Sequence, residues 1–243
     1  LIWPFTIAFV IEKTNSSLKK FTAIFFFLSI GLAAFLTNSR NAWFSILISI
    51  PLLLQTTSFY WLLPTVFIVS TIIVITSSEL FTGELQEAFR TIIPDKIWME
   101  FTQKAKLSRF DIFLSGFKIS LIEPLFGLGG ASFPVIYELE NNIWRGHPHN
   151  LFLELAVSYG YPVTILILGS ILLLIINSFK IIFNNKSNND EYNLFEKAWW
   201  VSAFIFIISQ SFDVQYFDGR ISIVFWVLLA GIKTIIEENM QRI

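Results

Sequence analysis

Uninterrupted apolar runs, each near the length of a bilayer crossing, constrain this chain more than any other feature. The stretch "FTAIFFFLSIGLAAFLT" at 21–37 carries no charge, and 160–183 carries only Lys180. A spanning helix needs about 20 mostly apolar residues. In hydrocarbon every backbone polar group must be satisfied internally, which leaves helices or closed barrels. Barrel strands would show segments of about 10 residues that alternate polar and apolar, and these runs do not alternate. The expected fold is therefore all-α, a polytopic membrane helical bundle. Composition agrees: 14% of residues are charged, against roughly a quarter in soluble domains.

The runs place spans at about 1–11 (partial), 21–37, 41–55, 59–77, 160–183, 198–213 and 221–236, all within a single membrane domain over 1–243. Pro162 suits the first turn of the 160–183 span. The chain opens on Leu1 and "LIWPFTIAFVI" breaks at once into "EKTNSS". That pattern reads as the tail of a spanning helix in an N-terminally incomplete chain, not as a signal peptide, because it has neither a basic leader nor a small-residue cleavage site.

Between the third and fourth full spans, residues 78–148 hold most of the charge. Orientation follows from Lys and Arg near short loops. With the 12–20 link inside, the inner links hold Lys13, Lys19, Lys20, Lys180, Lys186, Lys197, Lys233 and Arg242, and the outer turns hold only Arg40 and Arg220. The expectation is a multi-pass membrane protein whose large loop, 78–148, is external, which in a bacterium means periplasmic or cell-surface. Part of that loop is helical by pattern: Leu107, Phe110, Leu114, Phe117 and Leu121 recur at steps of three and four, one apolar helix face. Such a helix would lie on the membrane surface with that face down, until Pro124 and Gly127, Gly129 and Gly130 end it.

Several chemistries are excluded. The net charge of −1 gives no electrostatic case for nucleic acid. With no cysteine and two histidines, disulfides, Fe–S clusters and thiol nucleophiles are out, and a structural zinc site is improbable. No phosphate loop, GxSxG or HExxH is present. No cofactor and no metal are expected.

Four residues stand out. Both histidines fall in "RGHPHNLFLE" at 145–154. An unperturbed imidazole exchanges protons near neutrality, so His149, at the head of "HNLFLELAVSYG", is the candidate general base, or an oriented donor. His147, before Pro148, reads as structural. Asn150 is placed to pair with Glu154 one helical turn on. Arg40, in "TNSRNAWF", is a cation at a span's outer end, against the positive-inside tendency. Arg109 lies on the polar side of the surface helix, and Arg145 is close in sequence to His149. Arginine forks match phosphate oxygens, so these residues suit a lipid-linked phosphate ligand. Glu123, Glu154, Asp213 and Asp218 are the acidic candidates near the same mouth.

These stretches resemble one family. "TNSRNAWFSIL" resembles the serine-arginine motif at a helix end in bacterial O-antigen ligases and polymerases. "SRFDIFLSGFKISLIEPLFGLGGASF" resembles their external-loop pattern of arginine, amphipathic helix and Pro-Leu-Phe-Gly-x-Gly. "HPHNLFLELAVSYGYPV" is similar to their His-Asn segment leading into the next span, although Val163 stands where a second glycine is common. The resemblance covers about 20–236. It implies transfer of a glycan from undecaprenyl pyrophosphate to a sugar hydroxyl, either of the lipid A core or of a growing glycan, without metal or nucleotide sugar. Membrane lipid surrounds the enzyme, and nucleic acid plays no part. It further implies that Arg40 and Arg109 bind the diphosphate as it leaves and that His149 orients or deprotonates the acceptor; Arg145, near His149 in sequence, is a weaker binding candidate. The alternative within the same family is a bicarbonate or other anion transporter. Transporters favour inverted repeats and broken midplane helices, and the sequence shows neither.

Overall fold

The structure, a computed structural model, describes residues 1–12, 16–37, 39–54, 109–184 and 190–241. All but Leu54 belong to one packed unit, Leu1–Leu53 with Arg109–Ile243. The expected span at about 59–77 and residues 78–108 of the large loop lie outside the described residues.

Among the described residues every regular element is a helix: α1 (Trp3–Ile11), α2 (Ser17–Leu36), α3 (Arg40–Leu54), α4 (Arg109–Ser120), α5 (Ser132–Asn141), α6 (Leu151–Asn184), α7 (Asp190–Ser209) and α8 (Gly219–Gln241). Three of them, over Ser17–Leu36, Leu151–Phe183 and Gly219–Gln241, are long and apolar enough to cross a membrane. The all-α membrane architecture expected from the apolar runs is the one observed.

Helix starts follow local chemistry. Ser16 caps α2, its Oγ accepting from the Lys19 N–H, and the Ser39 Oγ accepts from the Ala42 N–H to cap α3. The Asp218 carboxylate accepts from the Arg220 N–H at the head of α8. Each cap satisfies one of the N–H groups that a helix start leaves without a partner. The polar break between the first two full spans is thus a cap, and it makes Arg40 the first residue of α3.

α7 is the centre of the bundle, packing against α1, α6 and α8. Its buried positions include Ala198, Val201, Ser202 and Ala203. In lipid, helices gain little from burying apolar surface and associate through close packing, so small residues collect at their contacts. Gly231 of α8 gives the plainest case. A Cβ there would overlap the Trp199 indole, whose Nε1 donates to the Leu228 carbonyl at 2.8 Å. Outward faces stay apolar: α2 buries none of its residues and exposes Phe21, Phe25, Leu28, Leu32 and Phe35, as a lipid-facing helix should.

A second, smaller core sits at one end. Ile112 and Ile119 of α4, Phe133 and Tyr137 of α5 and Val157 of α6 pack together. α4 is apolar on two sides. Ile112 and Ile119 face this core, and the stripe at Leu114, Phe117 and Leu121 is exposed.

Between α4 and α5 the glycine-rich loop grips α6 where α6 breaks. Gly160 has φ 78° and ψ 167°, the one non-helical residue inside α6. The Leu128 and Gly129 N–H groups donate to the carbonyls of Val157 and Ser158, and the Tyr161 N–H donates to the Pro124 carbonyl. Backbones meet so closely that a Cβ on Gly127 would lie 2.5 Å from the Tyr159 nitrogen, and one on Gly160 would overlap the Leu125 carbonyl. Both glycines also have positive φ, which side chains rarely tolerate. Beyond the break the helix resumes with Pro162 in its first turn, where a missing N–H costs nothing.

Candidate active site

The two histidines are brought together by a turn that ends in a helix cap. Pro148 is buried, and a Cβ on Gly116 of α4 would come within 2.9 Å of its ring. Asn150 caps α6: its Oδ1 accepts from the Leu153 N–H at 3.1 Å. Between them His149 has φ 56°, an uncommon conformation for a residue with a side chain, although histidine adopts it more readily than most. Such strain persists where surroundings impose it, often at functional sites.

Those surroundings come largely from the α7–α8 turn. The Gln210 carbonyl accepts from the Leu151 N–H at 3.0 Å, and the Ser211 carbonyl accepts from the Asn150 amide at 3.2 Å. The Gln210 side-chain oxygen accepts from the Gln215 N–H at 2.9 Å and closes the turn. This lattice delivers Asp213 to the histidines. Its Oδ1 lies 3.2 Å from His149 Nδ1 and 3.8 Å from His147 Nε2. The two rings meet edge to face with centroids 4.4 Å apart.

Hydrogen-bond partners assign the protons. An ionised carboxylate only accepts, so His149 carries its proton on Nδ1 and leaves Nε2 with a bare lone pair. His147 Nδ1 accepts from the His149 backbone N–H at 3.2 Å, so its own proton sits on Nε2, towards Asp213. Burial, and then the neighbouring His149 ring, hold the His147 imidazole below its ordinary value, while Asp213 pulls the other way. His147 therefore serves as a neutral brace that orients the His149 backbone.

Three potential ligand atoms on His147, His149 and Asp213 lie within 4.8 Å of one another, close enough for a metal ion. A metal-bound histidine donates from its other ring nitrogen, whereas here His147 Nδ1 accepts and Nε2 is protonated. The arrangement suits proton transfer: a carboxylate holding an imidazole in one tautomer, as in nucleophile–base–orienter systems generally.

The other candidates fall as follows. Arg40 and Arg109 begin α3 and α4; their side chains lie outside the described residues. Next to Arg40, the Asn41 amide lies 3.5 Å from the Ser209 carbonyl at the end of α7, and Gly116 of α4 packs against Pro148 of the histidine turn. Arg145 is exposed, and its field acts on Tyr137, whose phenol is raised above its usual value chiefly by burial. Asp218 forms a two-pronged pair with Arg220 at the exposed head of α8. Glu123 is exposed. Glu154 is buried and accepts from the Ser158 hydroxyl at 3.3 Å, so the expected Asn150–Glu154 pair is replaced by a cap at one residue and a serine contact at the other. Of the four acids, only Asp213 touches His149.

A family model described as O-antigen ligase matches residues 24–168. That stretch contains Arg40, Arg109, Arg145 and His149, and Asp213 lies beyond it. No curated protein and no solved structure matches the chain.

Proposed function

The chain belongs to the O-antigen ligase family, and from that premise we propose that it transfers a glycan from undecaprenyl pyrophosphate to a sugar hydroxyl at the periplasmic face of the inner membrane. Membership and the three long apolar helices make it a bacterial membrane protein with a glycan-transfer role in O-antigen and lipopolysaccharide synthesis. The lipid-linked glycan and the lipid A core are the general substrates of such proteins.

The observation that carries the proposal is the His149–Asp213 contact at 3.2 Å, because it leaves one nitrogen free to take a proton. In the proposed step His149 Nε2 removes the proton of the acceptor hydroxyl. The oxygen attacks the anomeric carbon of the donor, and the bond from that carbon to the diphosphate breaks with its electron pair. Asp213 stabilises the imidazolium that forms. A positioned base adds about 10²–10⁴-fold. The diphosphate is already a good leaving group, so the remaining need is for positive charge held where negative charge collects. Arg40 and Arg109 fill that role in this reading, at the heads of α3 and α4, with Arg145 a third candidate.

Basic residues agree with the assigned face. Lys19, Lys20, Lys180, Lys197 and Lys233 mark the end of the bundle opposite the histidine turn, and positive charge favours the cytoplasm. Residues 78–148 then belong to the periplasm.

Full chain in lipid nanodiscs, given undecaprenyl-pyrophosphate glycan with lipid A core or with a second lipid-linked glycan, tests the proposal. Transfer to either acceptor is expected, and the productive one separates ligase from polymerase. Bicarbonate uptake by proteoliposomes with no transfer would establish the transporter instead.

A further inference from the structure

A groove of about 490 Å³ follows the seam between α1 and α2. Phe5 and Phe9 of α1 and Ala23, Phe26 and Ile30 of α2 line its sides. The two helices run antiparallel, since Trp3 stacks on Phe27 and lies against Gly31. One end of the groove is therefore apolar, at Ile2 and Ile30, and the other is charged, at Glu12 and Lys19. From Lys19 to Ile30 the helical rise gives a length of roughly 16 Å. Half of a bilayer's hydrocarbon core is roughly 15 Å, so the groove is one leaflet deep.

Its walls suit hydrocarbon. Phe9 and Phe26 are exposed, so the groove opens sideways to the surroundings of the helices. Its two hydroxyls already donate to carbonyls of their own helices, Thr6 to Trp3 and Thr22 to Leu18 and Lys19. An alkyl chain laid against them strands no donor, and an unmade hydrogen bond is the main cost of covering a polar wall.

The charged end says which head the chain carries. Glu12 is half-buried and Lys19 is exposed, and among the described residues they are the ionisable side chains that line the groove. A head bearing only a phosphate meets the ammonium of Lys19 but is repelled by the Glu12 carboxylate. A head with a phosphate and a primary ammonium answers both, through charge-assisted hydrogen bonds in each direction. The donor is a poor fit on position as well. Lys19 stands near the start of α2 and Arg40 beyond its other end, and the 20 residues of α2 span roughly 30 Å.

We propose that this groove holds one tail of a phosphatidylethanolamine from the leaflet opposite the histidine turn, its phosphate on Lys19 and its ammonium on Glu12. The inference goes beyond the transferase reading and does not depend on it.

Native mass spectrometry of the full chain, titrated with phosphatidylethanolamine or with phosphatidylglycerol of the same tails, tests this. The wild-type chain is expected to bind the ethanolamine lipid about tenfold more tightly, the scale of one charged hydrogen bond. Glu12→Gln should erase that difference, and Lys19→Gln should weaken both lipids. Ala23→Trp, which fills the groove, should abolish the tight binding while helix content, followed by circular dichroism, stays the same. Equal affinity of the wild-type chain for the two lipids would overturn the inference, as would a preference that survives Glu12→Gln or tight binding that survives Ala23→Trp. Tight binding of neither lipid would assign the groove to a protein segment and overturn it as well.

Discussion

His149 Nδ1 lies 3.2 Å from Asp213 Oδ1, a contact between residues 64 positions apart. This one pairing fixes which imidazole nitrogen is free. Replacement of Asp213 by Asn keeps the shape but turns a pure acceptor into a group that can also donate, so the imidazole is no longer held in one tautomer. Asp213→Asn is expected to lower the transfer rate about 10²–10⁴-fold with little change in donor affinity. Single-turnover transfer beside equilibrium binding checks this; a parallel loss of binding would make Asp213 a substrate contact instead of a positioning residue.

Arg40 and Arg109 are expected to matter as forks as well as charges. A guanidinium grips two phosphate oxygens at once, and an ammonium does not. Arg40→Lys and Arg109→Lys should each raise the donor concentration for half-maximal rate about ten- to a hundredfold, as loss of a charged hydrogen bond predicts. Wild-type donor dependence in both lysine variants would show that net charge alone suffices.

The grip of the glycine-rich loop on α6 depends on two missing side chains. Gly127→Ala and Gly160→Ala each force a Cβ against backbone at positive φ, and each should cost at least about 1–3 kcal/mol. Gly130→Ala has open space within 4 Å and should be close to neutral. Thermal unfolding in detergent distinguishes them, and equal midpoints for all three would contradict the packing described.

His147 sets a pH dependence of stability. Its folded-state value is lowered, by burial first. As pH falls below about 6.5, the ordinary histidine value, the unfolded chain takes up a proton that the native turn still refuses. The stability contributed by neutral His147 is present above that value and is lost on acidification. The unfolding midpoint should fall between about pH 7.5 and 5.5, and His147→Gln should flatten that fall. An unchanged slope in the variant would remove His147 from the effect.

Topology has its own check. Cysteine placed at exposed Glu140 should react with a membrane-impermeant thiol reagent from outside the cell, and cysteine at Ser187 only after the membrane is opened. The reverse pattern would invert the assigned face.

Much of this was legible in the sequence, for identifiable reasons. Apolar run length governs span position, so local reading reaches the spans, whereas Asn150 was expected to pair with Glu154 and instead caps its own helix. The start of the span near Pro162 was readable for the same reason, and the non-helical Gly160 before it came from the structure. The face of α4 was half legible. Periodicity found the stripe at Leu114, Phe117 and Leu121, which is exposed, but missed the buried side at Ile112, Gly116 and Ile119, because it sought one apolar face and this helix has two. Asp213 appeared only as one of four carboxylates. Nothing near it in the chain points to His149; the Gln210 and Ser211 carbonyls that carry it there act through tertiary contacts.

Transfer by the full chain carrying His149→Ala tests the central claim most directly, measured in nanodiscs with glycan-bearing undecaprenyl pyrophosphate and acceptor. The account predicts that donor still binds while transfer falls by about 10²–10⁴-fold. Transfer at the wild-type rate by that variant would contradict it.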